Sequence, residues 1–275
     1  MNSYTDKFIE TVNKYLPKSD EEWEIVGFVS KQNLIFTFGD DSKIIGRLFE
    51  VVAYNALKQT ADELGYELHE SEKQTVYPDF YFIKPDRKKI AVDIKTTYRK
   101  SPNSKYKFTG GSFTSFMRDN KKNIVGNYTD YDKHYILGVV YDRTKDRTTG
   151  SVDLSAIQSI IPAYHNIETF IQEKYRICGD KKGSGNTDNI GTIESKNILP
   201  FVKGYGPFSV LGEDIFNDYW INHPVYKDSK EKTDSLYSDL DGYIKWLAKT
   251  DKTKSNIIRE EYEKYRIEYN KIIKK

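Results

Sequence analysis

The chain predicts an α/β fold of the α+β kind, a central mixed β-sheet flanked by helices. Strand-type runs crowd the middle of the sequence, helical periodicity dominates both ends, and neither an internal repeat nor a Pro/Gly/Ser-rich linker divides it. With 275 residues it can bury a sizeable core, so residues 1–275 are expected as one domain. No stretch is long and apolar enough to span a membrane, and the opening "MNSYTDKFIETVNKYL" reads as an amphipathic helix, not a signal peptide. The cytoplasm is the expected compartment. A single cysteine, Cys178, excludes an internal disulfide and a cysteine-based zinc cluster. Between Ile177 and Gly179 it reads as a small core residue.

The elements follow in order. "EEWEIVGFVS" and "NLIFTFG" carry strand-type residues around a short polar turn and read as a hairpin. "DDSKIIGRLFEVVAYNALKQTADELG" has an Asp or Ser cap, apolar residues at helical spacing and Gly65 as its stop, which makes a long helix. A short strand "YELHE", a strand at Phe80–Ile83 and the strand "KKIAVDIKTTY" come next, the last two joined by the turn "KPDRK". "SPNSKYK" is a polar loop and "SFTSFMRDNKKNIV" a short helix or helical turn. "HYILGVVYDR" is a buried strand, "SVDLSAI" another strand, "YHNIETFIQEKYRICGD" a mixed stretch and "KKGSGNTDNIGTI" a glycine-rich loop. From "DIFNDYWINH" onward the chain is polar and mostly helical.

Charge and spacing point to chemistry. The net charge of +2 says little, but between Lys84 and Lys122 lysine and arginine far outnumber Asp86, Asp93 and Asp119. Such a stripe attracts a polyanion, although a solvated lysine-rich face stays open, because Lys, Tyr, Ile and Asn abound throughout. In the strand "KIAVDIK", Asp93 and Lys95 share one face while Val92 and Ile94 take the other. Asp79 opens the preceding strand, so hairpin pairing brings it near Asp93, and two carboxylates that close repel unless a cation lies between them. Oxygen ligands with no nearby His or Cys suit Mg²⁺, and a lysine beside them suits phosphodiester hydrolysis. A buried Asp–Lys salt bridge is the competing interpretation, and spacing alone does not decide between the two. The histidines at 69, 134, 165 and 223 have no metal-ligand spacing, and His134 reads as packing.

"YPDF" followed by "VDIKTTY" resembles the PD…D/ExK pattern of restriction-endonuclease-like nucleases, in the wording of the EcoRV-like Type II restriction endonucleases. "LFE" in the long helix, "FTGGSFTSFMRDNKKNIV" and "GDKKGSGNTDNIG" agree in order and spacing. The resemblance covers roughly residues 40–195 and is weaker at "DIFNDYW". It implies a homodimer that embraces double-stranded DNA and cuts both strands with Mg²⁺, Mn²⁺ being able to substitute. The implied target is GATATC, cut to blunt ends with 5′-phosphate and 3′-hydroxyl, within a restriction-modification system. A cognate methyltransferase would share the cell without a stable complex.

The resemblance also assigns residues. Asp79 and Asp93 match metal-binding aspartates, Lys95 the catalytic lysine, and Glu50 the acidic residue bordering the metal. Gly183, Ser184, Gly185, Asn186, Thr187 and Asn189 match the base-reading loop, where glycines permit close backbone approach and the Asn186 amide suits adenine. Lys43, Gln74, Thr96, Thr97, Ser115, Lys122 and Arg143 match positions near the DNA backbone or minor groove. Dimerisation elements are implied near 20–38 and 148–160, a catalytic core at about 40–227 and a helical region at 228–275. Departures fall in "KQTV" before Tyr77, where only Gln74 is kept, at Gly46 in place of a serine, and in the tail after about Lys227. A repair nuclease or junction resolvase, a catalytically inactive DNA-binding protein, and an α/β domain with a merely structural Asp–Lys pair compete with this assignment. The residues leave open the number of metal ions and the group that deprotonates the attacking water.

Overall fold

The computed structural model describes residues 6–73, 75–183, 188–225 and 237–273. At its centre is a five-stranded mixed sheet in the order β3 (Glu67–Glu70), β4 (Phe80–Ile83), β5 (Lys89–Tyr98), β7 (Tyr131–Arg143), β9 (Tyr164–Glu173). β5 and β7 are parallel and the other neighbours antiparallel. The β5–β7 crossover holds β6 (Thr109–Ser112) and a π-helical turn at Phe113–Met117.

Strand periodicity splits the sheet between a core on one face and two on the other. Ile90, Val92 and Ile94 of β5, with Tyr135, Leu137 and Val139 of β7, face a helical layer of α1 (Lys7–Tyr15), α2 (Asp20–Trp23) and α3 (Ser42–Leu64). Asp6 caps α1 by accepting from the Phe8 and Ile9 amides, and Asp41 caps α3 from Lys43 and Ile44. Gly65, at φ 68°, ends α3 in the left-handed conformation that favours glycine. Ala91 faces the other way, into a core with Tyr77, Phe113, Phe116 and the C-terminal helices; Ile136 and Val140 of β7 pack in a separate, third cluster with Tyr106, Phe108 and Phe201.

Two small antiparallel sheets complete the architecture. β1 (Phe28–Val29), β2 (Leu34–Phe36) and β8 (Ser151–Asp153) form one; β10 (Cys178–Lys182), β11 (Asn189–Thr192) and β6 form the other. After β9 come α4 (Lys174–Ile177), α5 (Leu199–Lys203), α6 (Phe208–Leu211), α7 (Glu213–Ile221), α8 (Leu240–Leu247) and α9 (Lys252–Ile273). No helix among the described residues is long and apolar enough to cross a membrane.

The structure differs from the sequence expectation in several places, among them the ends of "KKGSGNTDNIGTI", which are strand and not loop. Residues 21–23, expected as strand, belong to a helical turn, because a Ser19/Glu22 capping box and three acidic residues at its start favour helix. "SVDLSAI" is strand only to Asp153; the Asp153 carboxylate then caps a 3₁₀ turn at Leu154–Ser159. The mixed stretch from Tyr164 resolves into the edge strand β9, α4 and β10.

Candidate active site

Asp93 lies mid-way along β5 and is 4% exposed. The alternation that buries Val92 and Ile94 against α3 carries Asp93 and Lys95 to the opposite face, where Lys95 Nζ stands 2.7 Å from Asp93 Oδ2. Asp93 Oδ2 is buried, and the Lys95 ammonium is its partner. Asp79 immediately precedes β4. The register Phe80↔Val92 sets it opposite Asp93, and its Oδ2 accepts the Ile94 amide at 2.6 Å. Its backbone is fastened from the other side: Ser71 N–H donates to Asp79 O at 3.1 Å, and the Ser71 hydroxyl to Pro78 O. The three residues that spacing singled out therefore converge, as hairpin pairing requires.

Their charges are strongly coupled. Burial and the facing Asp93 carboxylate raise the Asp79 pKa well above the carboxylate range; Glu50 adds to this, while Lys95 and the Ile94 amide oppose it. Burial works against the Lys95 ammonium, but Asp93, Asp79 and Glu50 outweigh it and hold the lysine charged. An excess of carboxylate around one lysine is a site short of positive charge.

That deficit bears on a metal. Among the described residues no three His, Cys, Asp or Glu side chains converge closely enough to hold an ion unaided. Asp79 and Asp93 supply the one or two protein carboxylates that a hard cation such as Mg²⁺ needs when water and phosphate complete its shell. The donor set fits.

Glu50 enters from α3, where Arg47 Nη1 pairs with its Oε2 at 2.5 Å and Arg47 Nη2 reaches Glu70 at 2.8 Å. Sequence reasoning missed this clasp, although the i,i+3 spacing of Arg47 and Glu50 could have suggested it. Glu50, Asp79, Lys43 and Arg47 line a cleft of about 400 Å³ together with Glu70 and Ser71. Gly46 lies where α3 meets β5: a Cβ there would stand 3.3 Å from Thr96 Oγ1.

The other expected DNA-facing residues are dispersed around this centre. Thr96 and Thr97 continue β5 and are half-buried. Ser115, in the π turn, donates to Lys122 O at 3.1 Å and accepts from Asn123, and the Lys122 side chain is exposed. Arg143 is already engaged within the chain, 3.7 Å from the Tyr98 ring centroid and 3.7 Å from Asp40. In the basic stripe, Lys84 and Lys88 both pair with Asp132, which removes part of that charge from the surface.

Gly183 N–H donates to Asn189 O at 2.7 Å and Lys182 pairs with Asp188 at 2.8 Å, closing the neck of the glycine-rich segment beside β6. Gln74 and the loop positions Ser184, Gly185, Asn186 and Thr187 lie outside the described residues. His134 packs, as expected: it is buried, stacks on Tyr128 and bonds the Tyr77 hydroxyl at 2.7 Å.

A mixed sheet carrying Asp79, Asp93 and Lys95 together, with Glu50 of α3 alongside, defines the class of restriction-endonuclease-like nucleases. Residues 19–248 match the family model described as restriction endonuclease EcoRV. The chain is also similar to the Type II restriction enzyme EcoRV of Escherichia coli, at 37% identity over 232 residues, 83% of this chain and 92% of that protein. The chain belongs to the EcoRV family of Type II restriction endonucleases and is a DNA-cleaving hydrolase.

Proposed function

We propose that the protein is a Mg²⁺-dependent homodimeric endonuclease that cuts double-stranded DNA at GATATC, leaves blunt ends, and works within a restriction-modification system beside a cognate methyltransferase. Mn²⁺ would substitute for Mg²⁺. The support that carries most is the convergence of Asp79, Asp93 and Lys95 in a chain of this family. The run "GSGNT" supports the target assignment, with Gly183 and Asn189 at its neck and Ser184, Gly185, Asn186 and Thr187 as base-reading positions.

Asp79 and Asp93 would hold the cation, with Glu50 at its border once released from Arg47. When bound, the ion supplies Lewis-acid neutralisation of charge on the phosphoryl oxygens. The Lys95 ammonium, held charged by its carboxylate neighbours, stabilises the negative charge that builds on the scissile phosphate. The Ile94 amide and the Ser71 contacts keep the Asp79 carboxylate oriented toward Asp93. Water attacks phosphorus, the P–O3′ bond breaks, and O3′ takes a proton, which leaves a 5′-phosphate and a 3′-hydroxyl. Lys43, Gln74, Thr96, Thr97, Ser115 and Lys122 would set register on the backbone. Arg143 would join them only by leaving Asp40 and Tyr98.

Residues 1–275 are taken as one domain in which β1, β2, β8 and the following 3₁₀ turn build the dimer interface. Phe28, Val29 and Phe36 are about half exposed, at 52%, 61% and 49%, with Ile157 and Ile161 nearby in sequence order on the same segment as β8. Apolar exposure of this kind marks an interaction surface, and a palindromic target calls for two-fold symmetry. The cytoplasm, where restriction enzymes meet DNA, is the proposed compartment.

The test is digestion of plasmids carrying or lacking GATATC, with Mg²⁺ or EDTA, followed by sequencing of the ends. Blunt scission within GATATC, absent in EDTA and in Asp93→Ala, is expected. Equal cutting of both plasmids would reject the restriction assignment.

A further inference from the structure

Lys174 is 1% exposed, and its Nζ has no hydrogen-bond partner among the described residues. It lies over three rings instead, 4.7 Å from the centroid of Phe116, 5.2 Å from Tyr77 and 5.5 Å from Tyr128. Burying an unpaired ammonium is costly, and desolvated ring faces recover part of that cost. The cage is itself joined up: Tyr77 stacks on Phe116 at 4.2 Å, Tyr128 stacks on His134 at 4.1 Å, and the Tyr77 hydroxyl bonds His134. A methionine or leucine would fill this volume without the charge, so packing alone does not explain a lysine.

Two walls of the cage, and the lysine itself, belong to segments with a functional end. Tyr77 is two residues before Asp79, and Phe116 follows Ser115 in the π turn. Lys174 opens α4, which links β9 to β10, the strand that leads to Gly183. Resting on the nuclease assignment above, we propose that Lys174 is a positioning residue. Its ammonium, seated in the Tyr77–Phe116–Tyr128 cage, locks the Asp79 segment to the phosphate-facing turn and to the base of the base-reading hairpin. Recognition and cleavage are thereby held in one register, although Lys174 touches neither substrate nor the reacting atoms.

The experiment compares wild type with Lys174→Met, Phe116→Leu and the double variant in three assays: thermal melts, affinity for GATATC and scrambled duplexes in EDTA, and single-turnover cleavage with Mg²⁺. Lys174→Met is expected to melt cooperatively at no lower temperature, since it relieves a buried charge. Its cleavage rate should fall about tenfold and its preference for GATATC over scrambled duplex should narrow, on the scale of coupling through a packed network. The double variant should lose little more than either single one. Cleavage and discrimination unchanged in Lys174→Met, additive losses in the double variant, or a non-cooperative melt would each overturn the proposal in favour of mere packing. Failure of the nuclease assignment shows separately, as wild-type protein that leaves the duplex intact with Mg²⁺; the affinity ratio in EDTA then still judges Lys174.

Discussion

Replacing Asp79 by asparagine should stabilise the metal-free protein, and more so at high pH than at low. Asp79 Oδ2 accepts the Ile94 amide at 2.6 Å, a bond that an asparagine oxygen can keep, so the substitution removes charge with little loss of geometry. In wild type, burial and the facing Asp93 carboxylate raise the Asp79 pKa in the folded state. A folded-state pKa above the unfolded one means that the native protein binds more protons between the two values. Stability is therefore fully present below pH ~4, where the unfolded carboxyl titrates, and is lost as pH rises toward the folded value. Each tenfold gain in proton affinity on folding is worth about 1.4 kcal/mol; screening by Lys95 and by water in the cleft brings the effect of the charge to on the order of 2 kcal/mol at pH 8.5. For a chain of this size that corresponds to roughly 4–8 °C in Tm. Melts in EDTA should give nearly equal Tm values near pH ~3.5, where the carboxyl is protonated in both states, and a higher Tm for Asp79→Asn at pH 8.5. Mg²⁺ should narrow the difference by binding the wild-type carboxylates. A gap of the same size at both pH values, or an asparagine variant that melts lower throughout, would refute the like-charge argument and with it the case for a cation-seeking site.

Lys95→Ala should lower single-turnover cleavage by about 10²–10³-fold, the scale for losing one electrostatic stabiliser of a transition state. Circular dichroism and metal-free binding should stay near wild type, whereas loss of folded structure would favour a merely structural Asp93–Lys95 pair. Arg47→Ala releases Glu50 from a partly exposed pair worth about 0.5 kcal/mol; Mn²⁺ affinity followed by electron paramagnetic resonance should rise roughly twofold, and no change would mean that Glu50 does not serve the metal. Gly138→Ala would drive a Cβ to 2.0 Å from the buried Phe170 ring, on the strand position paired with Lys95. Overpacking of that severity should cost about 3 kcal/mol, seen as a shift of the urea midpoint, and an unshifted midpoint would mean that β7 and β9 part easily. Phe28→Asp with Phe36→Asp should give a monomer in analytical ultracentrifugation; a dimer that persists would move the interface elsewhere.

The convergence of Asp79, Asp93 and Lys95 was legible because its information is local. A period of two in "AVDIK" decides which side chains share a face, and a short turn at Lys84–Lys88 decides which residue stands opposite Asp93. The long α3 was legible for the same reason, its cap at Asp41 and its stop at Gly65 both being written within the element. Charge partners across elements are not local. Sequence placed Glu50 beside the metal but not under Arg47 and Glu70, and left Arg143 free when Asp40 and Tyr98 hold it. Lys174 looked like any lysine in a polar stretch, since nothing within "QEKYR" announces that Tyr77, Phe116 and Tyr128 will close around it.

The same division between local and tertiary information runs through cleavage. The residues proposed to perform the chemistry lie on β5 and just before β4, whose register is fixed by a hairpin and cannot slip by one position without carrying Lys95 into the helix-covered core and Val92 out of it. The segments that would read the DNA hang instead from the β6–β10–β11 sheet and the π turn, which reach the carboxylates through tertiary contacts such as the Tyr77–Ile124 bridge and the Tyr77–Phe116 stack. On the proposed assignment, chemistry is built on the hairpin-registered part of the fold, and target choice on a layer held to it by one short bridge and ring packing. Substitutions in that layer should change which DNA is cut before they change whether the phosphodiester can be cut at all.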